Sequence, residues 1–422
     1  SRARRLNATA MLCAAFAGLS TTAAQAATDE EIVLCTIDDT TGNLAAMSTP
    51  KTWGYALAVE EINGAGGIRV SGVPKMVQRM QHDGQSDVGR YGQLTQQCIF
   101  EDEADVVMAG YTGAEREAAR VEAVRNETIF WHNNQGEGGI ADEYSFFTGP
   151  VPEQQILPGL EYMVEKYGKR VYVLAADYGF GQVSAQWVQA SAGMAGAEVV
   201  GLEFIPLGNS EFSSSIANIQ NEEPDFLFLL LVGSAQSQYF PQAQAAGIAI
   251  PSISTVNLQQ GYEHKLFPAP TLENLYVPVT FIEELAQEVE SAQVFVDKVR
   301  AAFPDTEYVN QMTRCAYVAV HLMAKAWEAA GTTDTPAVLE ALHSGLTFDA
   351  PEGPVTLDPA THHLAMDIRL AQVQPDHSVE FVEDFGVIEP WWLKEMGVNL
   401  ADTPQSRQYL PGDDPDLAAF LE

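Results

Sequence analysis

The chain has 422 residues, 46% of them hydrophobic, which is enough for two domains of ordinary size and excludes wholesale disorder. It carries 57 acidic against 22 basic residues, a formal net charge of -35. Phosphate backbones and anionic lipid surfaces repel such a chain, so nucleic acid and direct membrane insertion are set aside as partners.

At the amino terminus, Arg2, Arg4 and Arg5 precede an apolar run at 10–19, and Ala24-Gln25-Ala26 fits a small-residue cleavage site. Residues 1–26 therefore read as an export signal peptide, and the mature protein as periplasmic. The apolar run is short for a bilayer, and no later stretch is long enough to span one. Cys35 ends a predicted strand, while Cys98 and Cys315 fall in predicted helices. Their apolar settings predict buried free thiols. No Cys-x-x-Cys and no Cys/His ligand spacing occurs, so neither a metal nor a cofactor is expected.

The first strand spans 31–37 and runs into a polar loop at 38–43. A helix at 53–63 (WGYALAVEEIN) stops at Gly64-Ala65-Gly66-Gly67. Those glycines follow a helix instead of opening one, so they make no nucleotide loop. A strand at 77–81 leads to Ser86 or Asp87 as the cap of a helix reaching 100. The third strand, 104–109, meets Gly110-Tyr111-Thr112-Gly113 and a helix at 114–124. The fourth, 128–131, opens into the polar loop from His132 to Gly139.

A helix at 153–167 then enters a β-α-β unit: strand 171–175, the tight turn Asp177-Tyr178-Gly179-Phe180-Gly181, helix 182–194 and strand 198–205. Tyr178 and Phe180 are thereby held at the carboxyl end of a strand, the edge where open α/β sheets bind ligands. DFLFLLLV at 225–232 is a strand buried on both faces. Gly233-Ser234 turns it into a helix to 246, and strands follow at 251–255 and 276–280. This twice-repeated β-α order predicts two parallel sheets with helices on both faces. Helices at 287–303, 308–330 and 335–345 then arrive together, followed by β-like runs at 355–357 and 365–374. Residues 391–422, with Trp391-Trp392 and an acidic stretch at 413–416, look like an appended tail.

WGYALAVEEINGAGGI, GKRVYVLAADYGFG, EVVGLEFIPLGNSEFSSSIANIQNEEPDFLF and FDAPEGPVTLDPATHHLAMDIRLAQV together resemble the type I periplasmic solute-binding proteins of ABC importers. The likeness is to the urea and short-chain amide branch, and more loosely to the leucine/isoleucine/valine-binding group. It implies an α/β fold of two doubly wound, Rossmann-like lobes joined by a three-strand hinge. One lobe would hold 29–148 and 279–349, the other 149–278 and 350–390, with 391–422 as the tail. In amide-binding relatives a Tyr and a Ser after the third strand, a Tyr and a Thr after the fourth, and a Tyr from the second lobe hold the solute. By that resemblance Tyr111, Thr112 and Gly113 form the first contact loop, with Gly113 in the Ser position. His132 and Asn134 take the places of the second Tyr and the Thr. Tyr178 keeps the second-lobe tyrosine with Phe180 behind it, Gly233 opens the next loop, and Gln259 stands where Glu is common.

Asn134 offers both a donor and an acceptor and so suits an amide or urea. Gly113 removes a hydroxyl and is expected to enlarge the pocket beyond what urea needs. Asp177 and Glu137 are the candidates to meet an ammonium if the solute is an amino acid. His362-His363 is read as structural, because adjacent strand residues point to opposite faces. The implied function is capture of a small polar solute and its delivery to an inner-membrane ABC permease. The alternatives are amino-acid binding on the same fold and a periplasmic sensor. A secreted amidohydrolase is disfavoured because no G-x-S-x-G, H-E-x-x-H or P-loop is present.

Overall fold

The computed structural model describes residues 31–421, so the expected signal peptide at 1–26 lies outside the described residues. Two sheets organise the chain. The first is parallel, in the order Val77–Asp83, Ile32–Asp38, Val106–Ala109, Phe130–His132 and Ser145–Phe147. The second runs parallel through Glu198–Ile205, Arg170–Ala176, Phe226–Leu230, Ser252–Ser254 and Leu275–Val279. It then turns antiparallel at Leu364–Val373, which pairs with both Gly353–Leu357 and Val379–Ile388.

Side-chain alternation explains why both sheets are covered on both faces. Phe226, Phe228 and Leu230 enter one core while Leu227 and Leu229 enter the core behind the sheet. In the first sheet Val106 and Met108 face one cluster, Val107 and Ala109 the other. The first cluster also takes in Phe281, Phe295, Val318, Trp327 and Leu342. Late helices Glu290–Ala302, Gln311–Ala330 and Thr335–Leu342 therefore complete the first lobe before the chain returns to the second sheet.

The chain thus passes between the sheets after Phe147, after Val279 and before Thr347. Polar bonds tie these passages together. Phe147 N–H donates to His362 O at 3.0 Å, and Gln154 Nε2 donates to Leu364 O at 2.7 Å. Arg314, fully buried, donates to Thr148 O at 2.7 Å and pairs with the equally buried Glu352. His362 stacks on Phe146 and His363 on Phe147, each with a ring nitrogen at a backbone carbonyl.

Four sequence expectations need correction. Cys35 and Cys98 are joined as a disulfide, and Cys315 alone among the described residues is a free, buried thiol. The first helix begins at Ala45, not 53, and carries Pro50 inside it. The missing Pro N–H costs one helical bond, but burial of Met47 and Ser48 holds the preceding turn. A helix at Ser213–Glu222 and the short strands Ile68–Val70, Val73–Lys75 and Ile140–Asp142 were also not foreseen. Finally, the tail is built into the fold. Ser406–Gln408 pairs antiparallel with Ile140–Asp142, and Trp392 is buried edge-on against Trp187 with Nε1 on Asp414 Oδ2 at 2.8 Å. No helix among the described residues is long and apolar enough to cross a membrane.

Candidate functional site

The carboxyl ends of both parallel sheets converge on one small cavity of about 20 Å³, room for about one water molecule. From the first sheet come Tyr111, Thr112, Gly113 and Arg116 after Val106–Ala109, and Asn134, Gln135 and Glu137 after Phe130–His132. From the second come Tyr178 and Phe180 after Arg170–Ala176, Val232 after Phe226–Leu230, and Val256 and Gln260 after Ser252–Ser254.

The first wall is set by a helix cap. Thr112 Oγ1 accepts from Glu115 N–H at 3.2 Å, while Glu115 Oε2 accepts from Thr112 N–H at 2.8 Å and Tyr111 N–H at 2.9 Å. The Tyr111 and Thr112 backbone donors are therefore already occupied by a carboxylate. Burial, and then the neighbouring Asp39, lifts Glu115 to about 7.

Behind Gly113 lies the buried pair of Arg116 and Glu137, Nη1 to Oε2 at 2.7 Å. Arg116 also meets Glu117 at 3.0 Å, so its charge is answered twice. A Cβ at position 113 would sit 2.8 Å from Glu137 Oε1. Glycine there does not enlarge the pocket as expected; the Glu137 carboxylate fills the space it frees.

Polar side chains span the cleft. Asn134 Nδ2 donates to Tyr111 O at 2.8 Å, and its Oδ1 accepts from Gln135 N–H at 2.8 Å. Gln260, from the second lobe, meets the Tyr111 hydroxyl at 2.5 Å and Asn134 Oδ1 at 3.3 Å. Gln135 is buried with no hydrogen-bond partner on either side-chain atom. Tyr178 stands beside Phe180, ring centroids 6.0 Å apart. Burial, and then the charges of Glu137 and Glu115, push the Tyr178 pKa upward, so its hydroxyl stays a neutral donor.

Of the residues expected from sequence, Tyr111, Thr112, Gly113, Asn134, Tyr178 and Phe180 line this cavity. Three others are placed elsewhere. His132 is buried with Nδ1 3.2 Å from Ala109 O, and desolvation followed by Arg116 and Lys51 holds its pKa far down as a neutral imidazole. Gly233 sits at the start of the helix Ser234–Ala245, and its neighbour Val232 faces the cavity instead. Gln259 is buried against Thr255 O, 2.9 Å away, one residue off the wall that Gln260 forms. Asp177 is exposed and bonds Gln182, so Glu137 alone of the two acidic candidates reaches the cleft. Sequence reasoning missed Arg116, Gln135, Val232, Val256 and Gln260 as lining residues. Arg116 lies one turn past the Thr112 cap, a spacing that could have flagged it.

Comparison with known proteins agrees with this fold. In sequence, the chain is 26% identical over 212 residues to a Leu/Ile/Val-binding protein homolog 6 from Brucella suis biovar 1 (strain 1330), covering 50% of this chain and 54% of that protein. It thus spans about half the length of the curated relatives it matches. In structure, it is similar to a solute binding protein of an ABC transporter from Rhodopseudomonas palustris HaA2 in complex with p-hydroxybenzoic acid. That likeness has a TM-score of 0.75 at 18% identity, covering 87% of this chain and 100% of the other. It is also similar to a branched-chain amino acid transporter substrate binding protein from Streptococcus pneumoniae in complex with isoleucine. There the TM-score is 0.73 at 21% identity, covering 86% of this chain and 100% of the other. The sequence profile of the periplasmic binding proteins matches residues 31–378, and with the two-sheet fold in view, the chain belongs to the periplasmic binding protein family.

Proposed function

We propose that this protein is exported to the periplasm, captures a small neutral solute bearing an amide or urea group between its lobes, and hands it to an ABC permease. The observation that carries the solute class is Gln135. Its buried carboxamide lines the cavity with both the oxygen and the nitrogen unpartnered, offering one acceptor and one donor side by side. A solute amide is the complement of that pair.

Charge argues in the same direction. Arg116 is already matched by Glu137 and Glu117, and the Tyr111 and Thr112 amides by Glu115. An anionic solute such as a benzoate would meet no unanswered positive charge there. A second reading, an amino acid, is favoured by Glu137, whose carboxylate could face an ammonium group. Holding a guest against Tyr178 and Phe180 from one lobe and Gln135 from the other would favour the closed form, because only that form makes both sets of contacts.

Calorimetric titration with urea, acetamide, propionamide, leucine, isoleucine and benzoate decides between these readings. Amide or urea binding that weakens about 5- to 150-fold in Gln135→Leu supports the amide reading. Leucine or isoleucine binding that is lost in Glu137→Gln replaces it with the amino-acid reading. Binding of benzoate in preference to both would sink the charge argument.

A further inference from the structure

Away from the cleft, on the far face of the first sheet, four potential ligand residues converge from four separate elements. Cys35 lies in the strand Ile32–Asp38 and His82 in the neighbouring strand Val77–Asp83. Their register pairs Ile37 with His82, which places His82 on the same face as Cys35, two residues along. Cys98 comes from the last turns of the helix Val88–Phe100, and Asp102 from the turn that follows it. One ligand atom from each of the four lies within 4.8 Å of every other. His82 Nε2 is 2.6 Å from Asp102 Oδ2, and Cys35 Sγ is 3.8 Å from that same oxygen. Both sulfurs are fully buried, whereas the His82 and Asp102 side chains retain 15% and 10% exposure, leaving a way in for a small ion.

Two sulfurs, an imidazole nitrogen and a carboxylate oxygen form a donor set suited to zinc or a similar borderline divalent cation. Tetrahedral zinc holds S, N and O ligands at about 2.0–2.3 Å, which sets ligand atoms roughly 3.2–3.8 Å apart. The cluster already brackets that size, except that the sulfurs are joined. No local spacing announces the site, because its ligands come from residues 35, 82, 98 and 102 and meet only through sheet register and helix packing.

We propose that Cys35, His82, Cys98 and Asp102 are a divalent-metal site that the Cys35–Cys98 disulfide closes and reduction opens. A dithiol reductant breaks the S–S bond and is itself oxidised to a disulfide, leaving two protein thiols. A zinc ion then displaces both thiol protons and takes two thiolates, His82 Nε2 and Asp102 as ligands. The disulfide and the metal are alternative occupants of one cluster, each able to pin the helix Val88–Phe100 to the first sheet.

The test uses the full chain, with cobalt and zinc ions as probes, after reduction by a phosphine or mock treatment. Reduced protein is expected to bind one cobalt per chain with thiolate-to-cobalt charge-transfer absorption, and oxidised protein is not. His82→Ala and Asp102→Ala should each weaken zinc binding about tenfold or more, while Cys315→Ser leaves it unchanged. If reduction alone unfolds the chain, recovery of its circular dichroism on adding zinc supports the site, and no recovery overturns it. Absence of the charge-transfer band in folded reduced protein, equal binding by oxidised protein, or unaltered affinity in both single variants would each overturn it.

Discussion

Replacing Arg314 by Met tests the passages between the lobes most directly. Arg314 and Glu352 are both fully buried, and Arg314 also donates to Thr148 O at 2.7 Å. Burial alone would lower the Arg314 pKa; the Glu352 carboxylate reverses the sign and raises it. Methionine keeps much of the aliphatic volume but leaves the Glu352 carboxylate buried without a cation. Breaking a buried pair in this way costs about 3–5 kcal/mol. Removing both charges with Arg314→Met/Glu352→Leu should recover most of that loss, so a double-mutant cycle should give a coupling of about 2 kcal/mol or more. Urea unfolding of the four proteins measures it. Since Thr148 borders the first passage and Glu352 sits in the hairpin that follows the third, the single variant should also bind solute less tightly than the double. A single variant within about 0.5 kcal/mol of wild type, or a double variant no more stable than the single, would refute the reasoning.

Gln260→Ala removes contacts to Tyr111 and Asn134 across the cleft, and at about 0.5–1.5 kcal/mol per bond should weaken solute affinity about 5- to 150-fold by calorimetry. Unchanged affinity would show that these contacts do not bias closure. Burial lifts Glu153 from 4.5 to about 7, so the folded chain holds this proton more tightly than the unfolded one. Its cost is absent below about pH 4.5 and grows as pH rises to about 7; Glu153→Gln should therefore add about 3 kcal/mol of stability at pH 8 and almost none at pH 4. Denaturation at the two pH values checks that sign. Gly139 has φ +80, and a Cβ there would lie 1.9 Å from Tyr409 O. Gly139→Ala should unseat the strand Ser406–Gln408, seen as faster limited proteolysis after residue 400 with the two sheets intact.

Periodic patterns carried most of the fold into view. DFLFLLLV is apolar on both faces, and its strand is indeed covered by two cores. Asp87 was legible as a cap, and its side chain accepts from Gly89 N–H. Short pieces were not legible: Ile140–Asp142 draws its pairing partner from Ser406–Gln408 far along the chain, while Ile68–Val70 and Val73–Lys75 form a local hairpin whose three-residue strands are too short to show a period. The helix Ser213–Glu222 opens on three serines, a composition that reads as loop until Ile216 and Ile219 are buried. At the cleft, residues that directly follow a strand were found because topology alone delivers Tyr111, Asn134 and Tyr178 to the sheet edge. Arg116, Gln135 and Gln260 depend on where a helix turn or a loop aims its side chains. Gln259 shows how fine that is: a shift of one position exchanges the wall for the interior. The disulfide escaped for the same reason, since Cys35 and Cys98 are 63 residues apart and meet through helix packing.

The segment Ile140–Asp142 has one further consequence. Ala141 is sealed in the second lobe's interior together with Trp392, Val398 and Leu400, while Asp142 is anchored to Arg120 on the first lobe's helix at 2.6 Å. The carboxyl-terminal strand clamps this excursion from outside. It forms a tie between the two halves set apart from the three connecting passages. The tie runs straight on from the loop carrying Gln135 and Glu137, which links that wall of the cleft to the carboxyl-terminal strand.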